Sequence, residues 1–202
     1  MFTGIIESLG TIKKIYPKEN IYKIKTNLNL KDCNVGSSIC CDGVCLTAID
    51  IIKDDLEYMF SVNIGEETIN RSNLSNWNLG YNINLEKSLK LGDEISGHFV
   101  YGHVDTTLNI EKIKLLDNSW EFEFSFSNIS NSLDLKKYIV EKGSVAINGI
   151  SLTIANTFAN SFNVSIIPYT FQNTNLSMLK VKDRVNIEFD PLARYIRNRY
   201  DN

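Results

Sequence analysis

Side chains able to do chemistry are sparse in this chain, and they stand in matched places. Cys45 and Thr47 follow the dipeptide Asp42-Gly43, and Ser151 and Thr153 follow Asn148-Gly149 at the same intervals. Residues two apart share one face of a β-strand. Each site therefore presents a thiol or hydroxyl with a threonine on one side, and Val44 and Leu46, or Ile150 and Leu152, on the other. Such a pair can hydrogen-bond a ligand or relay a proton; ordinary amphipathic alternation on a solvated strand gives the same pattern, and both readings stand. The two histidines, His98 and His103, lie in Gly97-His-Phe-Val-Tyr-Gly-His-Val-Asp105. Their spacing puts them on opposite faces of a regular strand unless Gly102 hosts a bulge. Three readings stand: a strand histidine bonding to backbone, a domain-joining segment, or acid/base chemistry by an imidazole with an unperturbed pKa of about 6.5. Asp190 precedes Pro191 and has two compatible readings, a helix cap and a side chain that points into a pocket. Cys-x-x-Cys, His-x-His and His-x-x-x-His spacings are absent, so no metal site is expected. Gly-x-Ser-x-Gly, Gly-x-Gly-x-x-Gly and P-loop motifs are absent as well, which removes the usual serine-hydrolase and nucleotide signatures.

The elements that must position these residues are written twice. Residues 36–47 and 143–153 match, Phe60-Ser-Val-Asn returns as Phe162-Asn-Val-Ser, Asn73-Leu-Ser as Asn175-Leu-Ser, and Asn84-Leu-Glu as Asn186-Ile-Glu. A third match links Phe2-Thr-Gly-Ile-Ile-Glu to Val100-Tyr-Gly-His-Val-Asp. Two copies of domain length indicate a tandem duplication, not a solenoid, and a duplicated pocket suits a protein that holds two similar small molecules. The pattern within each copy is β. Trp120, Phe122, Phe124 and Phe126 alternate with polar residues, and residues 21–26 and 57–64 are rich in aromatic and β-branched types. Asp-Gly and Asn-Gly at equivalent points predict type I′ hairpin turns. About six short strands per copy close most simply into a small antiparallel barrel, which leaves no free edge. Short helical turns are expected over 66–75 and 168–178. After Asp190-Pro191, Leu192, Tyr195, Ile196 and Tyr200 form one apolar stripe of a terminal helix. So short a helix needs something to dock on.

The chain of 202 residues, 43% hydrophobic and 22% charged, suits two domains of about 100 residues each. Its net charge of −3 with scattered basic residues argues against a nucleic-acid or anionic-membrane partner. No apolar run reaches the roughly 20 residues of a membrane span, and the start lacks the pattern of a secretory leader. Cys33, Cys40, Cys41 and Cys45 all fall in the first copy, and adjacent Cys40 and Cys41 face opposite ways. Free thiols in a reducing cytoplasm are therefore expected.

Taken together, the blocks resemble the riboflavin synthase family of duplicated-barrel type. They are Met1-Phe-Thr-Gly-Ile-Ile-Glu7, Asp42-Gly-Val-Cys-Leu-Thr47, Gly97–Asp105, Asn148-Gly-Ile-Ser-Leu-Thr153 and Ile167-Pro-Tyr-Thr170, in the family's order along the whole chain. The resemblance implies an all-β fold of two tandem six-stranded barrels, residues 1–97 and 98–189, and a trimerisation helix over 190–202. It implies dismutation of two molecules of 6,7-dimethyl-8-ribityllumazine without a cofactor, in a cytoplasmic homotrimer with lumazine synthase as a further partner. A non-catalytic lumazine-binding antenna protein is the alternative. Carried over by motif, Cys45, His103, Ser151 and Asp190 fall at catalytic positions. Phe2, Thr3, Gly4, Ser38, Thr47, Gly65, Thr68, His98, Gly102, Thr153, Ile167 and Thr170 fall at substrate-binding positions. Whether Cys45 acts as a nucleophile or as a polar contact stays open. Gly65, Glu66 and Glu67 stand where the second copy has Ile167, Pro168 and Tyr169, so the first pocket is less apolar at that wall.

Overall fold

Hairpins closed by tight turns generate the whole architecture. The computed structural model describes residues 1–127, 129 and 135–200. Asp201 and Asn202, the end of the expected terminal helix, lie outside the described residues, as does the side chain of Tyr200. The first copy holds β1 (Ser8–Tyr16), β2 (Ile21–Thr26), β3 (Ser38–Cys41), β4 (Val44–Asp54), β5 (Glu57–Asn63) and β6 (Asn82–Lys87). The second holds β7 (Thr106–Leu115), β8 (Trp120–Ser125), β9 (Ser144–Ile147), β10 (Ile150–Thr157), β11 (Ser161–Ile166) and β12 (Arg184–Phe189). Each set closes into a barrel, β1-β2-β5-β4-β3-β6 and β7-β8-β11-β10-β9-β12, with antiparallel pairing throughout. Alternation sends Ile12, Ile24, Ile39, Val44, Leu46, Phe60 and Leu85 into the first core. Leu108, Phe122, Phe124, Ile147, Leu152, Phe162 and Ile187 fill the second.

Asp42 and Gly43 have φ of 48° and 80°, and Asn148 and Gly149 have 45° and 79°, the left-handed pair that a type I′ turn requires. Register shifts at Ile12/Lys14 and Ala48/Asp50 recur at Ile110/Lys112 and Ile154/Asn156, bending the strands at four corners. Between β5 and β6 lies α1 (Glu66–Arg71) with a 3₁₀ turn over Asn73–Asn76; α2 (Pro168–Asn173) with the turn Asn175–Met178 repeats it. Asp190 begins α3 (Pro191–Tyr200) by accepting the Leu192 N–H at 2.9 Å. Segment 97–105 is a domain-joining segment and not a regular strand. It is an open crossing segment with one bridge, Phe2 to Val100, because Gly97 and Gly102 let its backbone press against other parts of the fold.

The two barrels meet hairpin to hairpin. A Cβ on Gly43 would lie 2.7 Å from the Gly149 nitrogen, and one on Gly149 would lie 2.8 Å from the Gly43 nitrogen. Around this contact runs a buried amide network with approximate two-fold symmetry. Asn84 donates to the Asn148 carbonyl at 3.0 Å and Asn186 to the Asp42 carbonyl at 2.8 Å. The Asn175 N–H donates to Asn84 and the Asn73 N–H to Asn186, at 2.8 and 2.7 Å. Buried polar groups are tolerated when they satisfy one another; here the partners come from opposite barrels, although Asn73 Oδ1 and Asn148 Nδ2 have none among the described residues.

Candidate active site

The segment before each barrel crosses to the other one. Residues Phe2 and Val100 exchange backbone hydrogen bonds at 2.7 and 3.0 Å. Past that bridge the chain start runs to the second barrel, where the Ser151 N–H donates to the Gly4 carbonyl at 2.8 Å. Residues 101–103 run to the first barrel, where the Cys45 N–H donates to the Gly102 carbonyl at 2.9 Å. Glycine is required at both contacts: φ is positive, and a Cβ would meet the Cβ of Ser151 or Cys45 at 2.6 Å. Two buried glutamates hold the crossings. Glu86 accepts from the N–H of Thr3 and Gly4 and from the Thr3 hydroxyl. Glu188 accepts from the N–H of Tyr101, Gly102 and His103 at 2.7–3.0 Å. Burial outweighs these donors and pushes the Glu188 carboxyl up to about 7.

Two groups of side chains result. On the first barrel, Cys45, Thr68, Gly102 and the exposed His103 line one cleft of about 360 Å³ with Glu67 and Arg71 of α1. On the second, His98 Nδ1 and Ser151 Oγ share a hydrogen bond of 2.7 Å. The histidine is largely buried, its Nε2 has no hydrogen-bond partner among the described residues, and burial lowers its pKa against an opposing pull from Asp190. A neutral imidazole at ordinary pH, bonded to a hydroxyl, can take up or pass on a proton. The histidines are therefore not set on two faces of one strand: His98 serves the second barrel and His103 the first.

The other positions spread around these groups. Thr3 and Gly4 are buried beside Ser151, whereas the ring of Phe2 is fully buried at the junction with Cys40, Val100 and Ala146. Ser38 and Thr47 face each other across β3 and β4, and Thr153 pairs with Ser144. Gly65 and Ile167 are the residues that begin α1 and α2, with Thr68 and Thr170 half-buried inside those helices. Asp190 is half-buried at the start of α3. Among the described residues no group of His, Cys, Asp and Glu is arranged to hold a metal ion. Sequence reasoning passed over Glu86, Glu188 and Arg194. The first two stood in the matched Asn-x-Glu blocks, so the repeat carried the signal. Arg194 gave none: it forks onto Asp105 at 2.7 and 2.8 Å and ties α3 to the base of β7.

Comparison with known proteins places this geometry. A lumazine-binding domain model matches the chain twice, over residues 3–88 and 101–190. Riboflavin synthase of Brucella abortus is 38% identical over 198 residues, covering 96% of each chain, and that of Saccharomyces cerevisiae is 36% identical, covering 97% of this chain and 84% of the other. Among solved structures, LumP complexed with riboflavin superposes with a TM-score of 0.78 at 21% identity, covering 94% of this chain and 99% of that one. LumP complexed with 6,7-dimethyl-8-(1'-D-ribityl) lumazine gives 0.76. At that identity the likeness is one of fold.

Proposed function

The chain belongs to the riboflavin synthase family, and we propose on that premise that its twin sites perform one dismutation of 6,7-dimethyl-8-ribityllumazine. One molecule transfers a four-carbon unit to the other, giving riboflavin and 5-amino-6-ribitylamino-pyrimidinedione. The carrying observation is the crossed arrangement, which supplies a thiol with an imidazole on one barrel and a hydroxyl with an imidazole on the other. The lumazine C7 methyl is acidic because its anion is delocalised over the ring. The protein then needs to hold two rings in reacting register and move protons at their edges. Neutral His98 with Ser151 suits proton removal. His103 and Cys45 suit the partner ring. Burial of the supporting glutamates and crossing backbone fixes these groups before substrate arrives.

The same reading includes a homotrimer in which α3 joins the chains. Leu192, Tyr195 and Ile196 are 63, 75 and 59% exposed, an apolar stripe left uncovered among the described residues. Phe99 and Tyr101 add apolar surface to the crossing segment. In this reading the first barrel of one chain faces the second barrel of its neighbour, so each reaction uses both kinds of group. The free thiols at all four cysteines support a cytoplasmic setting.

Incubation of the purified protein with 6,7-dimethyl-8-ribityllumazine alone tests the function. Riboflavin should appear at its long-wavelength absorption, with two lumazines consumed per flavin. Tight binding without conversion would instead assign the chain to the non-catalytic carriers.

A further inference from the structure

We propose that Cys40 and Cys45 form a reversible disulfide that switches the first pocket off. The geometry comes from the hairpin. Cys40 and Cys45 are direct partners in the β3–β4 register, one step beyond the Cys41–Val44 pair that closes the Asp42-Gly43 turn. After a two-residue turn the second pair is the non-hydrogen-bonded kind. Accordingly the Cys45 N–H points away from Cys40 and donates to the Gly102 carbonyl. Such pairs have Cα atoms about 4.5 Å apart, inside the roughly 4.4–6.8 Å that a disulfide spans. Directly opposed residues also share a face. Ile39, Cys41, Val44 and Leu46 enter the barrel core, so Cys40 and Cys45 both leave on the other side, where they pack with Phe2, Val100 and Ala146.

The two thiols are unequal in access. Cys40 is 1% exposed, whereas Cys45 is half-buried at the rim of the cleft that also holds His103. That is the layout of an attacking thiol with a sheltered resolving partner. With a hydroperoxide as oxidant, the Cys45 thiolate attacks the outer peroxide oxygen, the O–O bond breaks and an alcohol (or water, from hydrogen peroxide) leaves. The Cys40 sulfur then attacks the Cys45 sulfenic acid, the S–O bond breaks and water leaves. Two thiols have lost two protons and two electrons, and the peroxide has gained them. Bonded to Cys40, the Cys45 sulfur turns into the junction and the cleft loses its thiol. The matching positions of the second barrel are Ala146 opposite Ser151, which have no such chemistry. The device therefore acts on one pocket of the pair.

The loss of activity rests on the lumazine-dismutation reading; the disulfide does not, and the two are read separately. The full-length protein is treated with near-stoichiometric hydrogen peroxide and cleaved before aspartates, which separates residues 32–41 from 42–49. In wild type these fragments should stay joined until reduced. Riboflavin formation should fall about tenfold or more, the effect of one lost buried polar partner, and return with dithiothreitol. Cys40→Ala, which copies Ala146, should start within about twofold of wild type, as neutral substitutions do. It should yield no joined fragments and show no dithiothreitol-reversible loss. Cys40→Ser serves as a second variant with the same expectation. Separate fragments from oxidised wild type, equally joined fragments from Cys40→Ala and Cys40→Ser, or joined fragments with full activity would each overturn the proposal. An untreated wild type that makes no riboflavin would instead defeat the functional reading, while the fragment assay still decides the disulfide.

Discussion

The two barrels share a framework and differ in what they hang on it. Both keep the left-handed turn glycines, the junction asparagines and the glutamate that grips the crossing segment. At the turn itself the first barrel has Asp42, whose carboxylate accepts from the Asn84 N–H, the Asn175 amide and the Trp77 indole; the second has Asn148, with Leu179 at the position of Trp77. The helices at the pocket walls differ too. The α2 helix is braced by Phe171 stacked on Trp120 at 3.9 Å, whereas α1 carries an exposed Glu67–Arg71 ion pair and packs Ile69 on the core. What duplication retained is what holds the barrels together. What diverged is the turn partner, Asp42 with Trp77 against Asn148 with Leu179, and the helix wall beside each pocket.

The largest expected effect lies at the two barrel ends, since β6 leads into a linker and β12 into α3. In the proposed trimer, removing residues 190–202 is expected to dissociate the chains and lower riboflavin formation on the order of a hundredfold, because half of each site that this reading shares between two chains would leave with the neighbour. Sedimentation must size the product, since Asp190 is lost as well. A truncated protein that stays trimeric ends the claim that α3 joins the chains.

A finer comparison sets Cys45 against Ser151. If the thiol is a polar, proton-relaying contact, Cys45→Ser should retain substantial activity, because the second barrel carries a hydroxyl at the matching position. Cys45→Ala should lose more, by about 1–3 kcal/mol. Single-turnover rates and lumazine affinities decide it. Equal, near-complete loss of the chemical step in both variants, with binding intact, would mark a nucleophile.

The smallest effect is expected at the turns. Asp42→Asn leaves the Trp77 indole facing an amide N–H and should cost about 1–3 kcal/mol. Adding Trp77→Leu imports the second barrel's solution and should recover most of it, less the packing of a large ring. Burial also pushes the Asp42 carboxyl up to about 7, while the unfolded chain releases that proton near 4. The folded state therefore holds the extra proton between those limits, and stability falls as pH rises across the window, then levels off. Melting scans from pH 4 to 8 should show Asp42's share of that slope removed in the double variant. An unchanged slope would mean that the three donors keep the carboxylate ionised throughout.

Much of this was legible in the sequence because it is local. The Asp-Gly and Asn-Gly turns, the alternation of Phe122, Phe124 and Phe126, the paired short helices and the Asp190 cap each depend on residues close along the chain. The duplication then suggested two barrels from one pattern. The crossing of Gly4 to Ser151 and of Gly102 to Cys45 was not legible, nor was the separation of His98 from His103. Those depend on glycine contacts between distant segments, and the sequence marks them only as matched blocks without saying which barrel each serves. The bulges at Ala48/Asp50 and Ile154/Asn156 left no mark either, since barrel closure and not residue type sets them.

The bridge between Phe2 and Val100 bears on synthesis. The Phe2 amide is buried and bonded to Val100, and Thr3 finds Glu86 only 83 residues later. During translation residues 2–4 have no partner until the first barrel is nearly made. The Gly4 carbonyl waits longer still, for Ser151. Residues 2–4 are thus among the last parts to settle, and pulse-labelled hydrogen exchange should find the amides of Phe2 and Val100 protected together, after the hairpins.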